Sequence, residues 1–512
     1  MSAAPLNAPL PGAPVSDDGP VDVLVVGGGI NGCGIARDAA GRGLTVMLVE
    51  MGDIAGATSQ WSSKLIHGGL RYLEYYEFRL VRESLREREV LLKLAPHLIE
   101  PLQFVVPHAP HLRPRWMIRA GLFLYDALRG TSALPRSQAI SLSGSGLGAA
   151  LAARFAYGFS YFDAHADDAR LTLANARGAA DLGACVATRT RLVSARVENG
   201  LWQVELEDLL HGGAHRITAR AIVNAAGPWV GEVLGRIAGA QDTARLKHVK
   251  GSHIVVPRLH EGAHAYLLQN PDGRILFAIP WLDRYTLLGT TDVPVEDYAA
   301  PTIDAAEIDY LCARASEYFA VPVTKNDIVT TYAGVRPLFD DGAGEAAAVT
   351  RDYVLHAQDV GGAALLSVFG GKLTTYRKLA EQAMVKLAVH FPAMGKPWTH
   401  AAPLPGGAFA GGRVQLADEL AGRFGWVPRE HLDSLVRRHG TLATHLLDGC
   451  VTPADLGEHF GAGFYARELE YMVAHEWAVT AEDLLMRRSK YGIILDAAQR
   501  ERVKRHLEGM RS

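Results

Sequence analysis

The hydrophobic and polar positions of the chain separate an alternating strand-and-helix part from a strand-rich part and a helical part. Residues 21–26 (VDVLVV) form an apolar, β-branched run that predicts a buried strand. Three glycines follow directly, and a helical pattern then extends to Gly43. A second apolar run at 44–49 closes on Glu50 and predicts another strand. Together these elements predict a βαβ unit.

Patterns further along the chain predict both helices and strands. The predicted elements are helices at 77–94 and 167–182, a hairpin at 186–206 turning at Asn199-Gly200, a mainly strand-like region at 246–336, a glycine turn feeding a helix at 369–391, and helical spacing throughout beyond about residue 392. The changes of pattern predict more than one domain, as does a length of 512 residues.

The composition is that of an ordinary globular protein, with 48% hydrophobic and 21% charged residues. A formal net charge of −3 gives no general attraction to nucleic acid, so no nucleic-acid partner is expected. The four cysteines show no CxxC spacing or neighbouring histidine pairs, so we expect no metal site and a reducing, cytoplasmic-side compartment. No apolar run reaches roughly 18 residues, which disfavours a spanning helix but leaves surface attachment to a membrane open.

The glycine spacing Gly27-x-Gly29-x-x-Gly32 lies between the first strand and its helix, where a dinucleotide fingerprint is found. The first glycine permits a tight turn, the second lets backbone N–H groups approach a pyrophosphate, and the third lets the helix pack closely on the strand. Glu50 ends the second strand, where a carboxylate can accept hydrogen bonds from a ribose. The sequence therefore predicts a bound dinucleotide.

Two later stretches favour FAD over NAD, because they indicate that distant segments of the chain come back to the nucleotide-binding unit and complete the cofactor site. One is Asn224-Ala225-Ala226-Gly227, and the other is residues 370–375 (GGKLTT). In the second, glycines precede a helix N-terminus, whose partial positive charge can stabilise the negative charge of a reduced isoalloxazine ring.

Five longer stretches together resemble the FAD-dependent, respiratory-type glycerol-3-phosphate dehydrogenase family. They are GGGINGCGIARDAAGRG (27–43), ATSQWSSKLIHGGLRYLE (57–74), KGSHIVVP (250–257), YAGVRPL (332–338) and FGGKLTTYRKLAE (369–381). The likeness covers about residues 20 to 390, and the helical tail resembles that family's C-terminal cap. No DxDxDG calcium-binding pattern occurs, so the chain is more similar to the bacterial members than to the mitochondrial ones.

The resemblance implies non-covalent FAD and oxidation of sn-glycerol 3-phosphate to dihydroxyacetone phosphate, with the electrons passing to a membrane quinone. It also implies a cytoplasmic protein held peripherally on the inner face of the cell membrane. The oligomeric state is left open, with a homodimer as one alternative.

The expected fold is α/β, with a Rossmann-type FAD-binding domain, a mainly β substrate-binding domain and an α-helical C-terminal cap. The predicted divisions are a disordered leader at 1–20, the FAD-binding domain at 21–245 completed by 337–392, the substrate-binding domain at 246–336, and the cap at 393–512.

Carried over residue by residue, the resemblance places a cationic cluster around the substrate. The predicted substrate-binding residues are Arg71, Tyr72, His253, Arg336, Arg351 and Lys372. A phosphomonoester needs several cationic donors, and arginine offers a planar fork that binds phosphate oxygens in pairs. Hydride transfer from C2 to flavin N5 also requires loss of the hydroxyl proton. A neutral His253 is a candidate base, and Arg336 a candidate stabiliser of the alkoxide.

The predicted cofactor-binding residues come from the glycine turns and from the loop at 59–67, whose side chains and amides offer donors to the flavin and the pyrophosphate. They are Gly27, Gly29, Gly32, Glu50, Ser59, Ser62, Ser63, Lys64, His67, Val186, Ala226, Gly227, Gly371, Lys372, Leu373 and Thr374.

Residues 113–130 mix arginines with aromatic and aliphatic residues, a composition typical of a helix lying in a membrane interface. The alternative is that the apolar residues pack inside the domain. Two functional alternatives also stay open: a glycerol-3-phosphate oxidase that uses molecular oxygen and produces hydrogen peroxide, and a non-catalytic flavin-binding module.

Overall fold

The structure is a computed structural model that describes residues 19–109, 112–241, 246–340 and 352–510. The first eighteen residues of the predicted leader and the predicted substrate ligand Arg351 lie outside the described residues. Two large sheets and a mainly helical C-terminal part make up the described chain, which confirms the predicted α/β fold class.

The elements are numbered in chain order. The strands are β1 (Val21–Val26), β2 (Val46–Glu50), β3 (Leu65–Ile66), β4 (Ile99–Pro107), β5 (Gln138–Ser141), β6 (Tyr157–Ala166), β7 (Cys185–Thr188), β8 (Thr190–Glu198), β9 (Leu201–Asp208), β10 (Ala214–Asn224), β11 (Leu246–Pro257), β12 (Ala265–Gln269), β13 (Ile275–Trp281), β14 (Tyr285–Gly289), β15 (Val293–Pro294), β16 (Thr330–Phe339), β17 (Val354–Val360), β18 (Ala363–Phe369), β19 (His459–Gly461) and β20 (Phe464–Tyr465). The helices are α1 (Ile30–Gly41), α2 (Phe78–Leu94), α3 (Arg115–Leu128), α4 (Asp168–Asp181), α5 (Val230–Gly235), α6 (Ala305–Ser316), α7 (Tyr376–Leu387), α8 (Gly412–Arg423), α9 (Arg429–His439), α10 (Ala443–Leu447), α11 (Ala466–His475), α12 (Tyr491–Ile494) and α13 (Ala497–Gly509).

The first sheet contains the predicted βαβ unit and has the strand order β17-β18-β10-β1-β2-β7, with β8 and β9 attached through β10. Strands β18, β10, β1, β2 and β7 run parallel to one another, whereas β17 is antiparallel to β18 and β9 is antiparallel to β10. Helices α1, α4 and α7 pack together on one face through small and aliphatic residues, while β8, β9 and α5 cover the other. Both faces are thus buried, as their continuous apolar strands require.

Glycine is required sterically where β1 turns into α1. Gly27 has φ +114°, and a Cβ there would lie 2.5 Å from the carbonyl oxygen of Ala225. A Cβ on Gly32 would lie 1.9 Å from the carbonyl oxygen of Gly27. The helix can therefore approach the end of the strand this closely only with hydrogen at both positions.

The second sheet has the order β15-β11-β14-β13-β12-β4-β6-β3, with β16 joined to β11 and β5 to β6. Helix α6 packs on one face, and α2 and α3 pack on the other. Four of its strands come from residues 65–166, outside the predicted substrate-binding range of 246–336, and that range also contains α6. The sheet thus extends beyond the predicted boundaries, and the division of the chain into domains stays a prediction.

The spacing predicted that the C-terminal part is helical throughout, but the structure shows strands in it as well. A two-stranded hairpin, β19–β20, interrupts the helices, and Gly461 at φ +128° and Gly463 at φ +78° permit its tight turn. Residues Asp483–Arg488 form a π-helical turn. Buried ion pairs attach this part to the body of the protein, among them Arg170 with Glu476 at 2.6 Å.

Candidate active site

A cavity of about 810 Å³ lies where the two sheets meet, at the carboxyl ends of β1, β10 and β18. Ligands of open α/β sheets bind at this edge. The predicted site residues that line it are Gly27, Gly29, Glu50, Ser59, Ser62, Ser63, His67, Tyr72, Ala226, Gly227, Arg336, Gly371, Lys372, Leu373 and Thr374. The fold thus brings together segments that are more than 300 residues apart in the sequence.

Glu50 is held at one end of the cavity by backbone amides. Gly28 N donates to its Oε2 at 2.6 Å, and Gly52 N donates to its Oε1 at 2.7 Å. Burial raises the pKa of Glu50 above its usual range, while the two N–H groups favour the carboxylate. Each oxygen keeps a further lone pair, so the group can still accept from ribose hydroxyls.

The residues of this end fit an FAD molecule. A Cβ on Gly29 would meet only Ser59 Oγ, at 3.3 Å, so the glycine leaves its side of the cavity open. Among the described residues, the buried atoms Asn31 Oδ1 and Arg189 Nη1 have no hydrogen-bond partner, and both residues line the cavity. Buried polar groups are normally satisfied, so an extended ligand with donors and acceptors suits this wall.

Asn31 is a site residue that sequence reasoning missed. Its Nδ2 donates to the carbonyl oxygen of Gly370 at 3.1 Å and ties α1 to the later glycine turn. Asn31 lies two residues after Gly29, the second glycine of the fingerprint, and this closeness was the only local signal for its role.

The other end of the cavity carries three of the predicted substrate-binding side chains, those of Tyr72, Arg336 and Lys372. Lys372 Nζ lies 3.8 Å from the centroid of the Tyr72 ring, a cation–π contact. Gly370 and Gly371 take φ values of +74° and +99° to form the turn that presents Lys372. His67 N donates to Thr374 Oγ1 at 3.2 Å and joins this turn to the loop after β3.

Arg336 lines the cavity from β16 and is oriented by two residues that the sequence did not single out. Its Nη1 pairs with Asp292 Oδ1 at 2.5 Å, and its Nη2 donates to Thr290 Oγ1 at 3.2 Å. Both partners belong to the string GTTD (289–292), which begins at the last residue of β14 and continues beyond that strand. This pairing across strands has no signature in the local sequence.

His253 does not line the cavity but lies behind a residue that does. It is 2% exposed, stacks on Tyr332 with 4.7 Å between ring centroids, and its Nε2 lies 3.0 Å from Ser63 Oγ. Burial, with smaller contributions from Arg336 and Lys64, holds the pKa of His253 well below its usual value. The imidazole is therefore neutral at physiological pH, and it faces the cavity through Ser63.

Four other predicted site residues do not line the cavity. Lys64 is buried in an ion pair with Asp168, 2.9 Å from Oδ1, so its charge is already used within the protein. Val186 is a core residue on β7, because its side chain belongs to the first-sheet core. Gly32 serves helix packing, and Arg71 does not line the cavity although its neighbour Tyr72 does.

The comparisons with known proteins identify the family. Residues 22–377 match the family model described as FAD dependent oxidoreductase, and residues 397–512 match that of the C-terminal domain of alpha-glycerophosphate oxidase. The chain belongs to the FAD-dependent oxidoreductase family. It is an enzyme, and its cofactor is FAD, as predicted, which leaves no support for a non-catalytic flavin-binding module.

Curated relatives match this FAD-dependent oxidoreductase over almost its whole length. It is 52% identical to glycerol-3-phosphate dehydrogenase of Pseudomonas aeruginosa, over 98% of this chain and 97% of the relative. It is 50% identical to aerobic glycerol-3-phosphate dehydrogenase of Escherichia coli, over 95% and 97%. It is also 49% identical to D-erythritol 1-phosphate dehydrogenase of Brucella abortus, over 94% and 96%. The predicted resemblance to bacterial glycerol-3-phosphate dehydrogenases is confirmed.

Solved structures agree with this assignment. Glycerol-3-phosphate dehydrogenase from Bacillus halodurans complexed with FAD matches with a TM-score of 0.74 and 26% identity, over 97% of this chain and 95% of that one. L-alpha-glycerophosphate oxidase from Mycoplasma pneumoniae matches with a TM-score of 0.58 and 18% identity, over 75% and 99%, and shows the fold alone.

Helix α3 exposes most of the apolar side chains of segment 113–130. Trp116 is 70% exposed and Phe123 62%, whereas the buried residues of the helix are Leu122 and Tyr125. The alternative that the apolar residues pack inside the domain thus holds for Leu122 and Tyr125 but not for Trp116 and Phe123. Among the residues that the structure describes, none of the helices has the length and apolar character needed to cross a membrane.

Proposed function

We propose that this enzyme oxidises sn-glycerol 3-phosphate to dihydroxyacetone phosphate and passes the electrons to a membrane quinone. The observation that carries the proposal is the pair of cationic side chains, Arg336 and Lys372, in one cavity with the fingerprint glycines. The names of the Pseudomonas aeruginosa and Escherichia coli relatives support the same substrate.

The cationic end suits a phosphate dianion. The guanidinium of Arg336 is oriented by Asp292 and Thr290, so it needs little reorganisation to offer its fork to phosphate or alkoxide oxygens. Lys372 adds a second positive charge beside Tyr72. Arg71 and Arg351 stay predicted ligands.

The flavin supplies the acceptor for the hydride from C2, and the protein manages the accompanying proton. Ser63 Oγ lines the cavity and lies 3.0 Å from His253 Nε2. We assign the proton of the C2 hydroxyl to His253, received through Ser63. Arg336 stabilises the developing negative charge on the substrate oxygen.

Anaerobic addition of sn-glycerol 3-phosphate, followed by flavin absorbance, tests the substrate. Bleaching at a rate that saturates with sn-glycerol 3-phosphate is expected. D-erythritol 1-phosphate is the matched alternative, because a relative of 49% identity carries that name. Faster reduction and tighter binding with D-erythritol 1-phosphate would overturn the assignment.

A glycerol-3-phosphate oxidase is the second candidate, favoured by the match of residues 397–512 to a glycerophosphate oxidase domain. Turnover in air separates the two activities. A dehydrogenase is expected to reduce a soluble ubiquinone analogue far faster than it produces hydrogen peroxide, whereas peroxide equal to the substrate consumed would establish the oxidase.

We further propose that α3 holds the enzyme on the inner face of the cell membrane, where a quinone is accessible. Its exposed Trp116 and Phe123 occur together with the exposed Arg113 and Arg115 and the half-buried Arg119, a combination suited to anionic lipid surfaces. Replacing the three arginines with glutamate is expected to lower association with anionic vesicles and to leave activity with a soluble dye intact. Unchanged association would place the membrane contact elsewhere.

Light scattering would decide between a monomer and the homodimer.

A further inference from the structure

Arg189, the first residue after β7, lies beside Glu50 at the nucleotide end of the cavity. Thr188 is the register partner of Glu50 between β7 and β2, and Arg189 N donates to the carbonyl oxygen of Gly52 at 3.0 Å. Arg189, Glu50 and Gly52 all line the cavity. Because the acidic residue after the second strand marks the ribose side in dinucleotide folds, this end receives the adenosine half of the cofactor.

Only part of the Arg189 guanidinium is satisfied within the protein. Its Nη2 donates to both oxygens of Asp483, at 2.9 and 2.8 Å. Its Nη1 is buried and has no hydrogen-bond partner among the described residues. Leaving a buried donor unpaired is unfavourable, so a donor in the wall of a ligand cavity indicates an acceptor on the ligand.

The backbone of Arg189 supports the same interpretation. Its φ is +55°, in the left-handed region that non-glycine residues rarely adopt. Such strain persists where the surroundings fix the residue, and it is concentrated at ligand sites. Here it turns the side chain out of the line of β7 and toward the C-terminal part.

Asp483 is well suited to fix this side chain. It begins the π-helical turn Asp483–Arg488, is fully buried, and accepts from the amides of Val479 at 2.8 Å and Thr480 at 2.9 Å. It also pairs with Arg487, whose Nε donates to Asp53 Oδ2 at 2.5 Å. The carboxylate is thus held rigidly by its own segment while it holds Arg189.

We propose that Arg189 is a cofactor-binding residue whose Nη1 donates to an acceptor on the adenosine half of FAD, and that Asp483 is its positioning residue. Nothing in this inference depends on the proposed substrate. Its consequence is that docking of the C-terminal part and retention of FAD stabilise each other, since each favours the same orientation of Arg189.

The test measures release of FAD from the purified holoenzyme after dilution, followed by the rise of free FAD fluorescence without substrate. Arg189→Gln is expected to speed release roughly ten- to a hundred-fold, as for loss of a hydrogen bond from a charged donor. Arg189→Lys is expected to restore part of the loss. The matched control is Arg437→Gln, because Arg437 also joins the C-terminal part to the body, through Asp283 at 2.9 Å, away from the cavity.

A double-variant comparison tests the positioning role. If Asp483 acts through Arg189, Asp483→Asn speeds release, and the double variant releases FAD no faster than Arg189→Gln alone. The positioning role would be overturned if the accelerations of FAD release in the two single variants multiply in the double variant. It would also be overturned if Asp483→Asn releases FAD at the wild-type rate. Wild-type release by Arg189→Gln, or an equal acceleration in Arg437→Gln, would overturn the binding role. Because no substrate is present, failure of the proposed substrate leaves these outcomes unchanged.

Discussion

Two glycines of the fingerprint, Gly29 and Gly32, are expected to fail in different ways when changed to alanine. A Cβ on Gly32 would lie 1.9 Å from the carbonyl oxygen of Gly27, a backbone atom, so helix and strand must separate by about 1 Å to reach even the 3.0 Å limit. A Cβ on Gly29 would meet only Ser59 Oγ at 3.3 Å. The protein can therefore accept alanine at 29 but not at 32.

The magnitude follows from overpacking and from the backbone of each position. Forcing a methyl group into a packed contact costs about 1–3 kcal/mol, and Gly32→Ala is expected at the upper end because the contact is with backbone. Gly29 has φ −77°, which alanine adopts freely, so Gly29→Ala is expected to change apoprotein stability by less than about 0.5 kcal/mol. Gly121→Ala on α3, with no atom within 4 Å of the added Cβ, is the control and is expected to gain about 0.5–1 kcal/mol.

The assay is urea unfolding of the apoproteins together with the FAD content of the purified holoproteins. Measuring the apoprotein removes the stabilisation that bound FAD adds to every variant. Gly32→Ala is expected to lose both stability and FAD, whereas Gly29→Ala is expected to lose FAD alone, because its methyl group faces the cavity. Full FAD content in Gly29→Ala, or wild-type stability in Gly32→Ala, would refute the assignment of these two roles.

Three further predictions concern the site and its surroundings. Arg336→Ala is expected to lower kcat/KM by roughly ten- to a hundred-fold and to slow flavin reduction at saturating substrate. Asp292→Asn is expected to change both quantities in the same direction, because Asp292 orients Arg336. If stopped flow shows that Arg336→Ala reduces the flavin at the wild-type rate, Arg336 has no role in catalysis. Lys64→Met is expected to destabilise the protein by about 3–5 kcal/mol in urea unfolding, because it leaves Asp168 buried and unpaired, whereas loss of the exposed Arg196–Glu198 pair should cost less than about 1 kcal/mol. Burial lowers the pKa of His97 and His260 to about 3 and that of His264 to about 4, so these side chains stay neutral in the folded protein but take up protons below pH about 6.5 in the unfolded chain. The free energy of unfolding is therefore expected to fall from pH 7 to pH 5, by up to about 1.4 kcal/mol per pH unit for each histidine. A free energy of unfolding that does not change over this pH range would contradict the prediction.

The features that the sequence predicted correctly are those determined locally. The strand at 21–26, the glycine turn, the following helix and Glu50 arise from neighbouring residues, so pattern and spacing were sufficient. The cavity lining at 370–374 was found because glycines before a helix have a local chemical meaning. The strand-rich character of 246–336 was also recognised, since alternation is a local property too.

The remaining features depend on contacts between distant segments. The position of His253 behind Ser63 follows from the packing of β11 against the loop before β3. The ion pair of Lys64 could not be identified from spacing, because its partner Asp168 lies 104 residues away, and the cofactor-binding role of Lys64 stays a prediction. The sequence pattern at Val186 predicts a strand whether its side chain contacts the cofactor or packs in the core. Only the packing of α1 and α4 on that face of the sheet places the side chain in the core.

The strand order of the first sheet has a consequence for how the chain is made. Strand β10 pairs with β1, and it also pairs with β9 over residues 214–219 and with β18, which ends at Phe369, over residues 221–224. During synthesis from the N-terminus, residues 221–224 of β10 therefore lack their β18 partner until about 145 further residues have been added, whereas residues 214–219 can already pair with β9. Unpaired edges of this kind favour association with other chains. The flavin site is likewise incomplete over that interval, because Gly370 and Lys372 line the cavity and are made only after β18, so the complete site forms late in synthesis.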